Sequence, residues 1–118
     1  MNDQNKELLQ FGFSKEELVI LLRDGKIEEF NRVRPYPSLD LSRVNLSGIN
    51  LSMVNLSRTN LSETNLARTN LLGSDFSESD LTLTNFWGAN FYGVRGLTLR
   101  HRELIIAQLK KSWEDSII

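Results

Sequence analysis

The chain contains no cysteine, one histidine and two prolines among its 118 residues. Without cysteine, disulfide bonds, thiolate catalysis and thiolate metal sites are all excluded. A lone histidine, His101, rarely forms a transition-metal site when cysteine partners are missing, so we expect no bound metal. A cysteine-free composition fits a reducing compartment, and we therefore expect a cytoplasmic protein.

Excess charge and long apolar runs are also missing. The formal net charge is −1, so no overall field favours nucleic acid or an anionic membrane as a partner. Among the first thirty residues, the longest apolar run covers residues 18–22, whereas a membrane span needs roughly 20 residues. This run also lies too deep in the chain for a signal peptide. We expect a soluble protein that binds neither nucleic acid nor membrane.

The residue types that enzymes need are present only in unsuitable arrangements. Serine is abundant, but no histidine accompanies it in the sequence as a general base for nucleophilic activation. The glycines Gly48, Gly73, Gly88 and Gly93 fall at one position of a five-residue repeat, which suits corners of that repeat rather than a phosphate-binding loop. His101 lies in a charged run, residues 100–103, and is interpreted as the solvated start of a helix. The sequence therefore predicts no enzyme activity, no cofactor and no small-molecule substrate.

A five-residue repeat dominates the chain. Eleven consecutive units occupy residues 39–93, and each places Asn or Asp directly before a central Leu or Phe. A strict period of this length is typical of stacked repeats rather than of a globular core with mixed contacts. The central residues, which we predict to form the structural core, are Leu41, Leu46, Leu51, Leu56, Leu61, Leu66, Leu71, Phe76, Leu81, Phe86 and Phe91.

The length of the period predicts the path of the chain. A period of five fits neither the 3.6 residues of a helical turn nor the alternation of a strand. It fits a chain that turns a corner every five residues and points two of the five side chains inwards. These two are the central residue and the residue two positions before it. The Asn or Asp before each centre is predicted to cap the turn with its side chain.

These units resemble the pentapeptide-repeat family, and the resemblance covers residues 39–93. It implies an all-β solenoid core: a right-handed, quadrilateral β-helix with four units per coil, and hence about 2.75 coils. The chain departs from the alanine that the family usually has two residues before the centre. It carries large apolar residues there in the first coil and Thr or Ser later.

Helical caps are predicted on both sides of the repeat, because a short solenoid exposes two apolar ends. In residues 1–38, Ser14 and Glu17 form a capping-box pattern, and Phe13 and Leu18 stand at the staple positions. Gly25 separates this helix from a second one that should end at Arg34, before a proline. The Phe-Asn-x-x-Arg pattern of residues 30–34 resembles the helical preface of cyanobacterial members of the family.

Residues 94–118 are predicted to form the second cap. Thr98 is a suitable N-cap residue. Ile105, Leu109 and Trp113 recur at intervals of four residues and would share one face of a helix. The large residues of the repeat lie close to the two caps in sequence, as expected if the caps cover the open ends of the solenoid.

With four units per coil, residues twenty apart should stack on the outer surface. Arg43 is then predicted to lie over Glu63, and Arg58 over Glu78. Each ladder neutralises itself, so we expect little stabilisation from it and no charged docking stripe.

A group of large apolar residues interrupts the polar outer positions. Trp87 and Tyr92 stand where most units have serine, and Leu72, Leu83 and Met53 should lie nearby; we call these five residues the outer strip. One interpretation is that the C-terminal helix folds back over the strip, with Leu109 and Trp113 as a lid. The other is that the strip binds a protein partner or a second copy of the chain.

The sequence favours a non-catalytic interaction or structural module, for which a protein partner or self-association is expected. The family resemblance implies one alternative, a DNA-mimicking inhibitor or protector of a type II topoisomerase. Such proteins are long and acidic, whereas residues 39–93 hold five acidic residues and three arginines. The sequence therefore favours the interaction module.

Overall fold

The computed structural model describes residues 12–116, with side chains up to residue 111. Two helices, α1 (Lys15–Arg23) and α2 (Ile27–Val33), precede two short strands, β1 (Leu39–Asp40) and β2 (Thr59–Asn60), and a final helix, α3 (Leu99–Ser116), follows. The part of the predicted N-terminal cap before residue 12 lies outside the described residues. No helix in the described range is long and apolar enough to cross a membrane.

Helix α1 begins and ends where its local sequence predicts. The Glu17 amide donates to Ser14 Oγ, and the Ser14 amide donates to Glu17 Oε1, both at 3.1 Å, which confirms the capping box. After Arg23, Gly25 takes a positive φ of 76°. The Lys26 amide donates back to the Leu21 carbonyl. Leu18 and Leu22 are buried, so this helix packs its apolar face into the core.

The repeat forms a ladder of parallel pairs between residues twenty apart. Strands β1 and β2 pair in parallel with Leu39 opposite Thr59. Single bridges continue at the same offset, from Asn45 with Asn65 to Asp75 with Arg95. The backbone is therefore a parallel β-helical solenoid whose strands are very short because the chain turns after each of them. Pairing continues to Arg95, beyond the predicted boundary at residue 93.

Two features of each unit make the corner. In all eleven units the residue two after the centre has a φ between 49° and 74°. In all eleven, Oδ1 of the Asn or Asp accepts a hydrogen bond of 2.9–3.1 Å from the amide two residues later. These contacts confirm the predicted turn caps and explain why the repeat needs a short polar side chain there.

The interior of the solenoid is filled by the two inward positions of each unit. Ten of the eleven central side chains are at most 3% exposed, and Phe91 is partly buried. At the other inward position, the hydroxyls of Thr64 and Thr84 donate to the carbonyls of Leu41 and Leu61. Threonine therefore stands where the pentapeptide-repeat pattern usually has alanine, without leaving these hydroxyls unpaired.

Charged side chains form the predicted ladders on the outer surface. Arg43 Nε lies 2.6 Å from Glu63 Oε2, and Arg58 Nε lies 2.8 Å from Glu78 Oε2. Arg58 also donates to the Tyr36 hydroxyl and lies over its ring. The stacking predicted from the twenty-residue offset is confirmed. Because these groups are exposed, solvent screens the attraction within each pair.

Candidate functional site: the coil edges and the outer strip

Each coil presents a fixed row of backbone groups to the next. The amide of a central residue donates to a carbonyl in the next coil, that of the residue directly before the central one. Leu46 donates in this way to Asn65 at 2.8 Å. The Asn65 amide in turn donates back to the Val44 carbonyl at 2.9 Å. The first and last coils each lack one neighbour, so a row of donors and acceptors is left at each end.

Side chains of the N-terminal helices meet the row at the first coil. Lys15 Nζ donates to the Ser42 carbonyl at 2.6 Å, and Arg23 donates to the carbonyl of Asn45. Arg34 donates to the carbonyls of Asn55 and Ser57, both at 2.7 Å. Burial lowers the pKa of the Arg34 guanidinium, but arginine starts so high that it keeps its charge.

A carboxamide side chain bonds the coil edge at each end of the solenoid, at different positions of the five-residue unit. Asn31 Nδ2 donates to the Met53 carbonyl at 3.0 Å, and Asn31 Oδ1 accepts from the Asn55 amide at 2.8 Å. In α3, Gln108 Nε2 donates to the Thr84 carbonyl, and Gln108 Oε1 accepts from the Phe86 amide, both at 2.6 Å.

In both cases one amide bridges the carbonyl of one residue and the N–H of the residue two positions later. Gln108 bonds the same positions of the unit that the Asn90 backbone bonds on the neighbouring coil, at Thr69 and Leu71. The sequence analysis missed the role of both amides. A single polar residue on a helix looks the same in sequence whether it faces solvent or a coil edge. Only Asn31 carried a signal, since it belongs to the Phe-Asn-x-x-Arg pattern.

The interpretation of His101 as a solvated residue is wrong. Its side chain is 8% exposed, and its Nε2 lies 2.9 Å from the Ser79 carbonyl. The Thr98 amide donates to Nδ1, so Nε2 carries the proton and donates to the carbonyl. His101 is buried because the first turn of α3, capped by Thr98, packs on the end of the last coil. Within residues 12–116 no cluster of His, Asp and Glu could hold a metal ion.

The outer strip is exposed on the surface of the solenoid. The exposed fractions are 39% for Leu72, 74% for Leu83, 45% for Trp87, 79% for Tyr92 and 61% for Met53. The guanidinium of Arg68 lies 5.0 Å from the Trp87 ring centre and covers part of that ring. Met53 packs against the backbone of the next coil, where a Cβ on Gly73 would meet Met53 Sδ at 2.5 Å.

Helix α3 packs on the end of the solenoid and leaves the strip open along its described length. Ile105 is buried, and the polar contacts of α3 go to Ser79, Thr84 and Phe86. Leu109, predicted as half of a lid, is itself 40% exposed. The side chain of Trp113, the other half, lies outside the described residues.

The repeat also matches a known sequence family. A family model described as Pentapeptide repeats matches in eight copies, over residues 40–71 and 60–95. Among solved structures, the chain is similar to alr5209, a pentapeptide repeat protein from Nostoc Pcc 7120. The two are 22% identical with a TM-score of 0.23, and the match covers 60% of this chain and 73% of the other. No curated protein matches the chain.

Proposed function

Since this chain belongs to the pentapeptide repeat family, we propose that it is a non-catalytic protein-interaction module. In this proposal the solenoid of about 2.75 right-handed coils is a rigid support. The helical segments, residues 1–38 and 94–118, close its two ends. The outer strip is the surface that binds a protein partner or a second copy of the chain.

The observation that carries this proposal is the exposure of the strip. Tyr92 and Leu83 are 79% and 74% exposed, so the solenoid interior gains little from them. Serine fills the Trp87 and Tyr92 position in each of the first five units, so the repeat does not require a large side chain there. Exposed aromatic residues grouped on one surface commonly anchor protein interfaces.

The backbone beneath the strip also suits a binding surface. The Trp87 amide is held by Asn85 Oδ1 and the Tyr92 amide by Asn90 Oδ1, both at 3.0 Å. Both residues therefore stand on corners that are already ordered before any partner binds. Binding to an ordered surface loses less conformational entropy, so more of the contact energy contributes to affinity.

The test compares the wild-type chain with the double variant Trp87→Ser/Tyr92→Ser in affinity capture from native cells and in sedimentation. We expect about tenfold weaker association for the double variant. Its thermal midpoint should stay close to the wild type, because serine is the residue used elsewhere at this position. Tyr36→Ser is the matched control, since Tyr36 is 71% exposed outside the strip. Equal association by all three proteins would contradict the proposal.

A further inference from the structure

The side chains of α3 that the structure describes, up to residue 111, contact only part of the edge of the last coil. The carbonyl of Ser79 meets His101, and Gln108 meets the carbonyl of Thr84 and the amide of Phe86. One unit further along, the Ala89 carbonyl and the Phe91 amide have no hydrogen-bond partner among the described residues. Phe91 is also the one central side chain of the repeat that is not fully buried.

We propose that the edge formed by residues 89–93 binds an extended peptide segment of a partner protein as an added β-strand. This inference rests on the proposed function and names the chemistry of the partner: main-chain amide and carbonyl groups in extended conformation. Addition of a strand to an exposed sheet edge is a general mode of peptide recognition.

The preceding coil shows which contacts the added strand would make. There, the Leu71 amide donates to the Asn90 carbonyl, and the Asn90 amide donates back to the Thr69 carbonyl, both at 2.9 Å. The Gly73 amide donates to the Tyr92 carbonyl at 3.0 Å. One coil later, the Phe91 and Gly93 amides and the Ala89 carbonyl are the corresponding groups.

The molecule itself shows that an amide group fits this kind of edge. The pair of groups at Ala89 and Phe91 lies one unit after the pair that Gln108 fills and at the same positions of the unit, a carbonyl and the amide two residues later. A peptide bond offers the same donor and acceptor as a carboxamide side chain. The groups at the open position therefore match a backbone amide rather than a charged or purely apolar ligand.

The neighbouring side chains define the rest of the partner segment. In the repeat, the residue after the paired one points inwards, so in the partner it would lie over the partly buried Phe91. An apolar side chain is expected there, because it would complete the end of the core. The next residue would face outwards beside Tyr92, which links this edge to the outer strip. The partner segment is thus extended, with one buried apolar residue.

The experiment uses the full chain labelled with ¹⁵N and a blocked synthetic peptide with the sequence of residues 67–74. In this peptide the residue matching Asn70 would pair with Ala89 and Phe91. We expect the Phe91 and Gly93 amides to exchange with solvent about tenfold more slowly at saturating peptide. The control peptide carries an N-methyl group on that asparagine, which removes the donor, and should bind about tenfold more weakly.

Two results would overturn the inference: equal binding of the N-methylated peptide, or no added protection of Phe91 and Gly93. If either result is found and the double variant Trp87→Ser/Tyr92→Ser still loses its partner, the edge site is rejected and the strip is supported. Protection of both amides, combined with unchanged association of the double variant, would support the edge site and reject the strip. The two proposals therefore fail separately.

Discussion

The inward residue two positions before each centre often carries a hydroxyl, and the partner of that hydroxyl decides how well the coil interior is hydrogen bonded. Thr69 and Ser79 donate to the carbonyls three residues earlier in their own corners, at 2.7 Å in both cases. Ser74 occupies the same position and is fully buried, yet its hydroxyl has no partner in the described part of the chain. A buried hydroxyl without a partner loses its hydration and gains nothing in return.

This difference predicts opposite responses to alanine. Ser74→Ala should leave the free energy of unfolding unchanged or raise it slightly, because no hydrogen bond is lost and Ala89 shows that alanine fits the position. Ser79→Ala should lower the free energy of unfolding by about 1 kcal/mol, because a buried hydrogen bond is removed. Urea denaturation of both variants measures the difference. A larger loss for Ser74→Ala than for Ser79→Ala would show that the Ser74 hydroxyl is bonded.

At the scale of secondary-structure elements, the helices complete the backbone ladder with side chains. Sequence patterns predicted where α1 and α3 begin, because the capping signals at Ser14 and Thr98 depend only on neighbours a few residues away. The contacts of Asn31, His101 and Gln108 could not be predicted in the same way. They depend on which helix face meets the coil edge. When only a few residues of a helix contact that edge, the helix sequence shows only a weak apolar pattern.

The role of Gln108 predicts a large effect from a small change. Gln108→Met keeps the length of the side chain but removes both hydrogen bonds to the last coil. We expect a loss of about 1–3 kcal/mol in the free energy of unfolding, because the Thr84 carbonyl and the Phe86 amide lose their partner. Urea denaturation measures this loss, and the Phe86 amide should also exchange with solvent more rapidly.

The matched control is Arg102→Met in the same helix, where the side chain is exposed. That variant should change the free energy of unfolding by less than about 0.5 kcal/mol. If the two variants were equally stable and the Phe86 amide exchanged at an unchanged rate, Gln108 would have no part in closing the coil.

At the scale of the whole molecule, the solenoid is a stack in which each coil contacts the coils beside it. The pairs at an offset of twenty residues tie each coil to its neighbours, while α1 and α2 hydrogen bond to the first coil and α3 to the last. Stability in such stacks is roughly a sum of coil and neighbour contributions. The length of the stack can therefore change without altering either end.

An insertion tests this arrangement. A second copy of residues 59–78 placed after Glu78 should give a folded chain with a higher thermal midpoint. The extra coil adds four central side chains, each contributing roughly 1.5–3 kcal/mol when buried. A second copy of residues 59–76 at the same place breaks the five-residue spacing and should lower the midpoint. Far-UV circular dichroism melting compares both with the wild type, and equal midpoints for the two insertions would contradict the stacked-coil model.

The sequence alone determined the solenoid, its twenty-residue stacking and the inward direction of two side chains per unit. It could do so because every unit repeats the same local requirements, and each inner coil meets neighbours like itself. Tertiary structure decided what happens at the ends and on the surface: the burial of His101, the bridging amides of Asn31 and Gln108, and the exposure of Leu109. These outcomes depend on how a non-repeating helix is rotated against one coil edge. That rotation is set by a few contacts between residues far apart in the chain, which no local period encodes.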